Sequence, residues 1–124
     1  MFVVSNQPDI TRGLLEPQVL EEIGQFLKSR FHFTEIIYCT HDDSCACLCR
    51  KPKPGMILET LSRYELDPHE AVIIGDSYKD ILAGQNAGIT TIYCRRSYNS
   101  GISCKPDYTV DGLTEIAHLP LFAA

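Results

Sequence analysis

The run Cys39-Thr-His41-Asp-Asp-Ser-Cys45-Ala-Cys47-Leu-Cys49-Arg50-Lys51-Pro52-Lys53-Pro54-Gly55 constrains the fold of this chain more than any other stretch. Thiolate and imidazole are the ligands Zn²⁺ prefers, and Cys39, His41, Cys47 and Cys49 form two pairs, each separated by one residue. Such pairs can close a tetrahedron within a single loop, so residues 39–49 are expected to form a knot rather than a helix or strand. A full four-ligand shell leaves no open position, which makes the site structural. Cys45 could take the place of Cys47 on spacing alone. The cationic turn at Arg50, Lys51 and Lys53 follows at once, and a rigid loop there would hold positive charge towards an anion.

The cysteines also bear on compartment. Six cysteines could be read as three disulfides, but Cys45, Cys47 and Cys49 alternate, which suits chelation better than mutual bridging. Met1-Phe-Val-Val carries no basic region and no cleavable apolar segment, so no secretory signal is expected. The expected location is the cytoplasm, with thiols reduced and Cys94 and Cys104 free. No apolar run is long enough to span a bilayer, so no membrane partner is expected. The net charge of -5 over 124 residues argues against a general nucleic-acid surface, which needs a basic face.

Along the chain, apolar runs alternate with helical patterns. Phe2-Val-Val reads as a strand ending at Ser5-Asn6, and Glu16 to Arg30 as a helix with Leu20, Ile23, Phe26 and Leu27 on one face and Pro17 in its first turn. Glu35-Ile-Ile-Tyr-Cys39 is a strand entering the metal loop. Gly55 to Tyr64 is a helix with Met56, Ile57, Thr60 and Leu61 facing inward. Ala71 to Gly75 is an apolar strand ending at Asp76, and Tyr78 to Ala87 a helix closed by Gly88. Thr90 to Cys94 is another strand, with a weaker one at Tyr108-Thr-Val110 and a short helix from about Leu113. This alternation predicts an α/β fold, a Rossmann-like parallel sheet with flanking helices.

In such sheets ligands bind beyond the carboxyl ends of the strands. Three strands end in Ser5-Asn6, in the metal loop with Arg50-Lys51, and in Asp76. Hydroxyl and amide donors, a cation and a carboxylate for Mg²⁺ make up a phosphoryl-binding set. A carboxylate ligand would use similar groups. Asp76 also suits a helix N-cap, and Asp80 an exposed first-turn acid beside the helix dipole. His32, His69 and His118 read as surface residues, and Tyr93 and Tyr98 as packing residues.

Three segments together resemble the haloacid dehalogenase (HAD) superfamily: Val3-Val-Ser-Asn-Gln7, the Cys-x-His…Cys-x-Cys-Arg-Lys-Pro-Lys-Pro-Gly-Met56 element, and Ile73-Ile-Gly-Asp76-x-x-x-Asp80. Within it they resemble the zinc-loop branch of histidinol-phosphate and heptose-bisphosphate phosphatases. Pro54-Gly-Met56 is closer to the heptose-bisphosphate type, and the tail Lys105 to Asp111 fits as well. The resemblance implies one HAD-like domain over 1–124 with a zinc loop at about 39–53. It implies a Mg²⁺-dependent phosphatase acting on a small phosphorylated metabolite such as a sugar phosphate. By the same resemblance Ser5 is the phosphate-binding hydroxyl, with Asn6 beside it near substrate. Lys51 holds the phosphoryl oxygens, Arg50 and Arg12 face the substrate, Asp76 binds Mg²⁺ and Asp80 orients it.

The superfamily's first motif, a strand ending in Asp-x-Asp-Gly-Thr that carries the nucleophile and the general acid/base, has no match in residues 1–124. That strand is central in the fold. The expectation is therefore a truncated domain, inactive alone, whose exposed strand edges call for direct pairing, a partner strand or self-association. The alternative is a non-catalytic or split zinc-stabilised module that acts by binding or assembly.

Overall fold

Among the described residues, five strands run parallel to their neighbours, but they fall into two sheets, β1-β2 and β3-β4-β5. The computed structural model describes residues 1–99 and 101–122. The chain divides into two units, Met1–Arg50 and Lys51–Ala124.

In the first unit, β1 (Phe2–Asn6) pairs with β2 (Glu35–Cys39) in a register that runs from Phe2↔Glu35 to Asn6↔Cys39. The two strands are joined by α1 (Pro17–Phe31), which starts at Pro17 because proline's missing N–H is no loss in a first turn. It ends at His32, whose left-handed backbone (φ 55°) returns its N–H to the Lys28 carbonyl at 2.9 Å. The face α1 buries is narrower than its apolar periodicity predicts. Leu20 and Gly24 are buried, whereas Ile23 and Phe26 are exposed. Gly24 explains the close approach, since a Cβ there would stand 2.7 Å from the Tyr38 hydroxyl of β2.

The second unit begins with α2 (Gly55–Arg63), which buries Met56, Ile57, Thr60 and Leu61 at helical spacing, as the sequence predicts. A single 3₁₀ turn at Pro68–Glu70, capped by Asp67, leads into β3 (Val72–Gly75). Next come α3 (Tyr78–Ala87), β4 (Thr90–Cys94) and β5 (Tyr108–Val110). Gly88 closes α3 in the left-handed conformation (φ 75°) that glycine adopts without strain. α3 lies tightly on the sheet at Gly84, where a Cβ would meet the Thr91 methyl at 2.7 Å.

The core of this unit is Ile92, Cys94 and Val110, surrounded by Val72, Tyr108, Ile116 and Leu119. Beneath it Thr91 is fully buried and satisfied by Asp107, whose carboxylate accepts from the Thr91 N–H at 2.8 Å and from its hydroxyl at 3.0 Å. The segment from Leu113 is not an α-helix but two 3₁₀ pieces, Leu113–His118 and Pro120–Phe122. A bridging leucine and proline at 119 and 120 leave too little chain for a regular α-helix. Among the described residues, no helix is long and apolar enough to cross a membrane.

Candidate functional site

In the first unit β2 delivers Cys39, 1% exposed, to the start of a loop with no regular secondary structure. The loop turns back through Asp42, whose carboxylate accepts from the Ser44 N–H at 2.9 Å, the Ser44 hydroxyl at 2.5 Å and the Cys45 thiol at 3.5 Å. The Ser44 donors hold the Asp42 carboxyl below its ordinary range. Arg50 closes the far end. Its Nε donates to Asp43 at 2.8 Å and its Nη1 to the His41 carbonyl at 3.3 Å.

Inside this turn the donor atoms of Cys39, His41, Cys47 and Cys49 all lie within 4.8 Å of one another. The Cys39 and Cys47 sulfurs are 3.8 Å apart, and His41 Nδ1 is 3.5 Å from Cys39 and 3.4 Å from Cys49. A tetrahedral Zn²⁺ with Zn–S near 2.3 Å and Zn–N near 2.0 Å has S···S edges of about 3.8 Å and S···N edges of about 3.5 Å. Three of the measured separations match those edges. The fourth, Cys39 to Cys49 at 2.7 Å, is shorter and would open by about 1 Å around an ion. The four side chains therefore fit a metal ion, and Cys45 stands outside the group, bonded to Asp42.

The thiols differ in acidity. Burial pushes Cys47 up, but the backbone N–H groups of Arg50 and Cys49 and the thiols of Cys39 and Cys49 outweigh it and bring Cys47 down to about 6. Burial, with the neighbouring Cys39 and Cys47 thiols, pushes Cys49 up to about 12. The Cys47 thiol is thus the more acidic of the two and the Cys49 thiol the less.

The other predicted residues of this unit are placed as follows. Ser5 and Asn6 end β1, and Ser5 Oγ accepts from Gln7 Nε2 at 2.9 Å. Arg12 faces Asp9 at 3.5 Å and Asp42 at 3.9 Å. Arg50, expected to face substrate, is 8% exposed and turned onto the loop itself.

In the second unit the carboxyl end of β3 leads through Gly75 and Asp76 into α3. Ser77, not Asp76, caps the helix: the Ser77 hydroxyl and N–H donate to Asp80 Oδ2 at 3.0 and 3.2 Å, within a reciprocal capping box. Lys51 Nζ meets the other oxygen of Asp80 at 2.5 Å, with both side chains about nine-tenths buried. Asp80 is thus not the exposed acid its first-turn position predicts. Glycine is required at 75 because a Cβ would come within 2.5 Å of Asp80 Oδ2.

Asp76 and Asp80 line one cleft of about 370 Å³ with Ile74, Gly75, Cys94, Arg96, Tyr98 and Leu113. The Asp76 carboxylate, at the border of this open cleft, is the kind of oxygen donor a hard divalent cation takes. Tyr98, expected to pack, is 71% exposed and donates its hydroxyl to Asp76 Oδ2, while Asn99 Nδ2 donates to the Asp76 carbonyl. The Asp76 carboxylate at its hydroxyl raises the Tyr98 pKa above its ordinary value. The Ser77-x-x-Asp80 spacing was a legible signal of the capping box; nothing in the sequence marks Tyr98.

The family model for HAD-hydrolase-like proteins matches residues 48–116, more than half of the chain. This chain belongs to the HAD-hydrolase-like family. Its relatives include the D-glycero-beta-D-manno-heptose-1,7-bisphosphate 7-phosphatase of Helicobacter pylori, 32% identical over 72% of this chain and 55% of that protein. The corresponding alpha-specific enzyme of Campylobacter jejuni is 33% identical over 74% and 55%. The chain therefore spans about half the length of these curated relatives. Among solved structures, the D,D-heptose 1,7-bisphosphate phosphatase of B. bronchiseptica, complexed with magnesium and phosphate, superposes with a TM-score of 0.83 at 25% identity, over 94% of this chain and 71% of that one. The two curated relatives and this solved structure are all heptose-bisphosphate phosphatases.

Proposed function

We propose that this chain forms the zinc-loop and cation-binding part of a Mg²⁺-dependent phosphatase that hydrolyses a sugar phosphomonoester. The observation that carries the reading is the Lys51–Asp80–Ser77 assembly at the end of β3, whose Asp80 lines one cleft with Asp76. Support comes from relatives that are heptose-bisphosphate phosphatases and from a structural neighbour that holds magnesium and phosphate.

In this reading Asp76 holds Mg²⁺, which when bound offsets the charge of the phosphoryl oxygens. Asp80 aims the Lys51 ammonium, which would meet the transferred oxygens. By the family resemblance Ser5 would supply a hydroxyl donor, with Asn6 beside it, and Arg12 would face the substrate, whereas Arg50, turned onto the metal loop, braces that loop instead. Cys39, His41, Cys47 and Cys49 hold Zn²⁺ as a structural ion with no open position. The single-domain reading of 1–124 belongs to the same proposal. The nucleophilic Asp-x-Asp is not among these residues, so it would come from sequence beyond them or from another chain that also completes the sheet.

That last point favours a second reading, a split or non-catalytic zinc-stabilised module that binds a phosphorylated ligand without turnover. Phosphate release from heptose 1,7-bisphosphate with Mg²⁺ separates the two. The test uses the chain alone and the chain with a relative's first-strand segment supplied in trans. Turnover in either mixture, abolished by Asp76→Asn, establishes the phosphatase. No turnover in both rejects it in favour of the module.

A further inference from the structure

Within residues 75–80 the side chains of Ser77 and Asp80 are fixed by the capping box and by Lys51, but nothing in that segment holds Asp76. Among the described residues, its hydrogen bonds all come from one other place, the loop that follows β4. Gly75 stands opposite Tyr93 in the β3-β4 register, so the chain leaving β4 emerges beside the chain leaving β3. Five residues on, that loop presents Tyr98 to Asp76 Oδ2 and Asn99 to the Asp76 carbonyl.

We infer that Tyr98, supported by Asn99, is a positioning residue that holds the Asp76 carboxylate in the rotamer a divalent cation needs. The inference rests on the cation-binding role proposed for Asp76. A short acidic side chain at a strand end is free to rotate about two bonds, and each orientation away from the cation weakens binding. The phenol donates to one oxygen only and leaves Oδ1 as the acceptor available to a cation. This is the arrangement in which a ligating carboxylate is itself hydrogen-bonded from behind. Asn99 does the same for the main chain, so that the side chain and backbone of Asp76 are held from one loop. Because Tyr98 is largely exposed, it carries little of the core, and its replacement tests position rather than folding.

The test is a titration of the zinc-loaded full chain with Mn²⁺, reading free Mn²⁺ by electron paramagnetic resonance, with Mg²⁺ as competitor. Wild type, Tyr98→Phe, Asn99→Ala and Asp76→Asn are compared at equal fold stability by thermal melting. Asp76→Asn should abolish the site. Tyr98→Phe should weaken it by about 10-fold or more, the usual effect of removing such a partner, and Asn99→Ala by less. Unchanged Mn²⁺ affinity in Tyr98→Phe overturns the positioning role and leaves the cation role of Asp76 intact. Tighter binding also overturns it, because Tyr98 would then be a plug that competes with the ion. Equal binding by wild type and Asp76→Asn overturns the cation role itself, and the inference with it.

Discussion

The loop at residues 39–50 and the β3–α3 turn at residues 75–80 both gather chemistry at the end of a parallel strand, yet they are held in opposite ways. At the β3–α3 turn the capping and ion-paired groups have fixed partners from the chain itself. Asp80 takes the Ser77 donors on one oxygen and Lys51 on the other, and a glycine makes room for it. In the loop the concentrated groups are three thiols and an imidazole within 4.8 Å, and their ionisation is mutually opposed. The turn is preorganised by covalently encoded partners. The loop is a set of ligands, three thiols and an imidazole, whose arrangement a bound cation would stabilise. A capped, ion-paired turn is thus built into the fold in advance, whereas a thiol and imidazole cluster awaits an ion to complete it.

The largest effect expected from this contrast is on metal content. Binding of structural Zn²⁺ contributes about 10–16 kcal/mol in small peptides, far above the ~1 kcal/mol of a single hydrogen bond. Elemental analysis should find one zinc per chain. Cys49→Ser or strong chelation should remove it and disorder residues 39–50, seen as loss of amide protection there. Full zinc occupancy in Cys49→Ser, or an apo loop with unchanged protection, would break the comparison.

The second effect is smaller and falls on the other unit. Asp80→Ala removes both the carboxylate that pairs with the buried Lys51 ammonium and the acceptor of the Ser77 donors, and breaking a buried pair from one side costs about 3–5 kcal/mol. Asp80→Asn keeps a capping acceptor and should lose less. Denaturant titration of both variants checks this. Equal losses would mean that the charge on Asp80 contributes nothing and that the turn is held by capping alone.

How far each region could be read from sequence follows from where its partners lie. The loop was legible because its four ligands fall within residues 39–49, and pair spacing plus ligand chemistry select them before any fold is known. The α3 boundaries at Tyr78 and Gly88 were legible for the same reason, since capping and termination are local. Asp80 was not. A first-turn acid looks the same in sequence whether it faces water or a lysine, and here its partner lies 29 residues away. Tyr98 reaches back 22 residues to Asp76 through the β3-β4 register, which no local pattern records. On α1, periodicity marked Ile23 and Phe26 as inward, but the close approach is made by Gly24, a residue an apolar pattern does not weigh. The division of the strands into two sheets was likewise a property of pairing, and the strand patterns alone do not specify it.

The smallest expected effect is the most selective. Cys45 lies two residues from Cys47 and is indistinguishable from it by residue type, so a loop defined only by thiol density would bind metal through either. The structure separates them. Cys47 lies 3.8 Å from Cys39, whereas Cys45 turns its thiol to Asp42, which the Ser44 hydroxyl and N–H already engage. Losing one weak S–H donor from an acceptor with two better ones should cost a few tenths of a kcal/mol at most. Cys45→Ser should therefore retain one zinc per chain and wild-type loop protection, while Cys47→Ser loses both. Equal zinc loss in the two variants would show that the four ligands are not a defined set, and the contrast between an ion-completed loop and a preorganised turn would then rest on the turn alone.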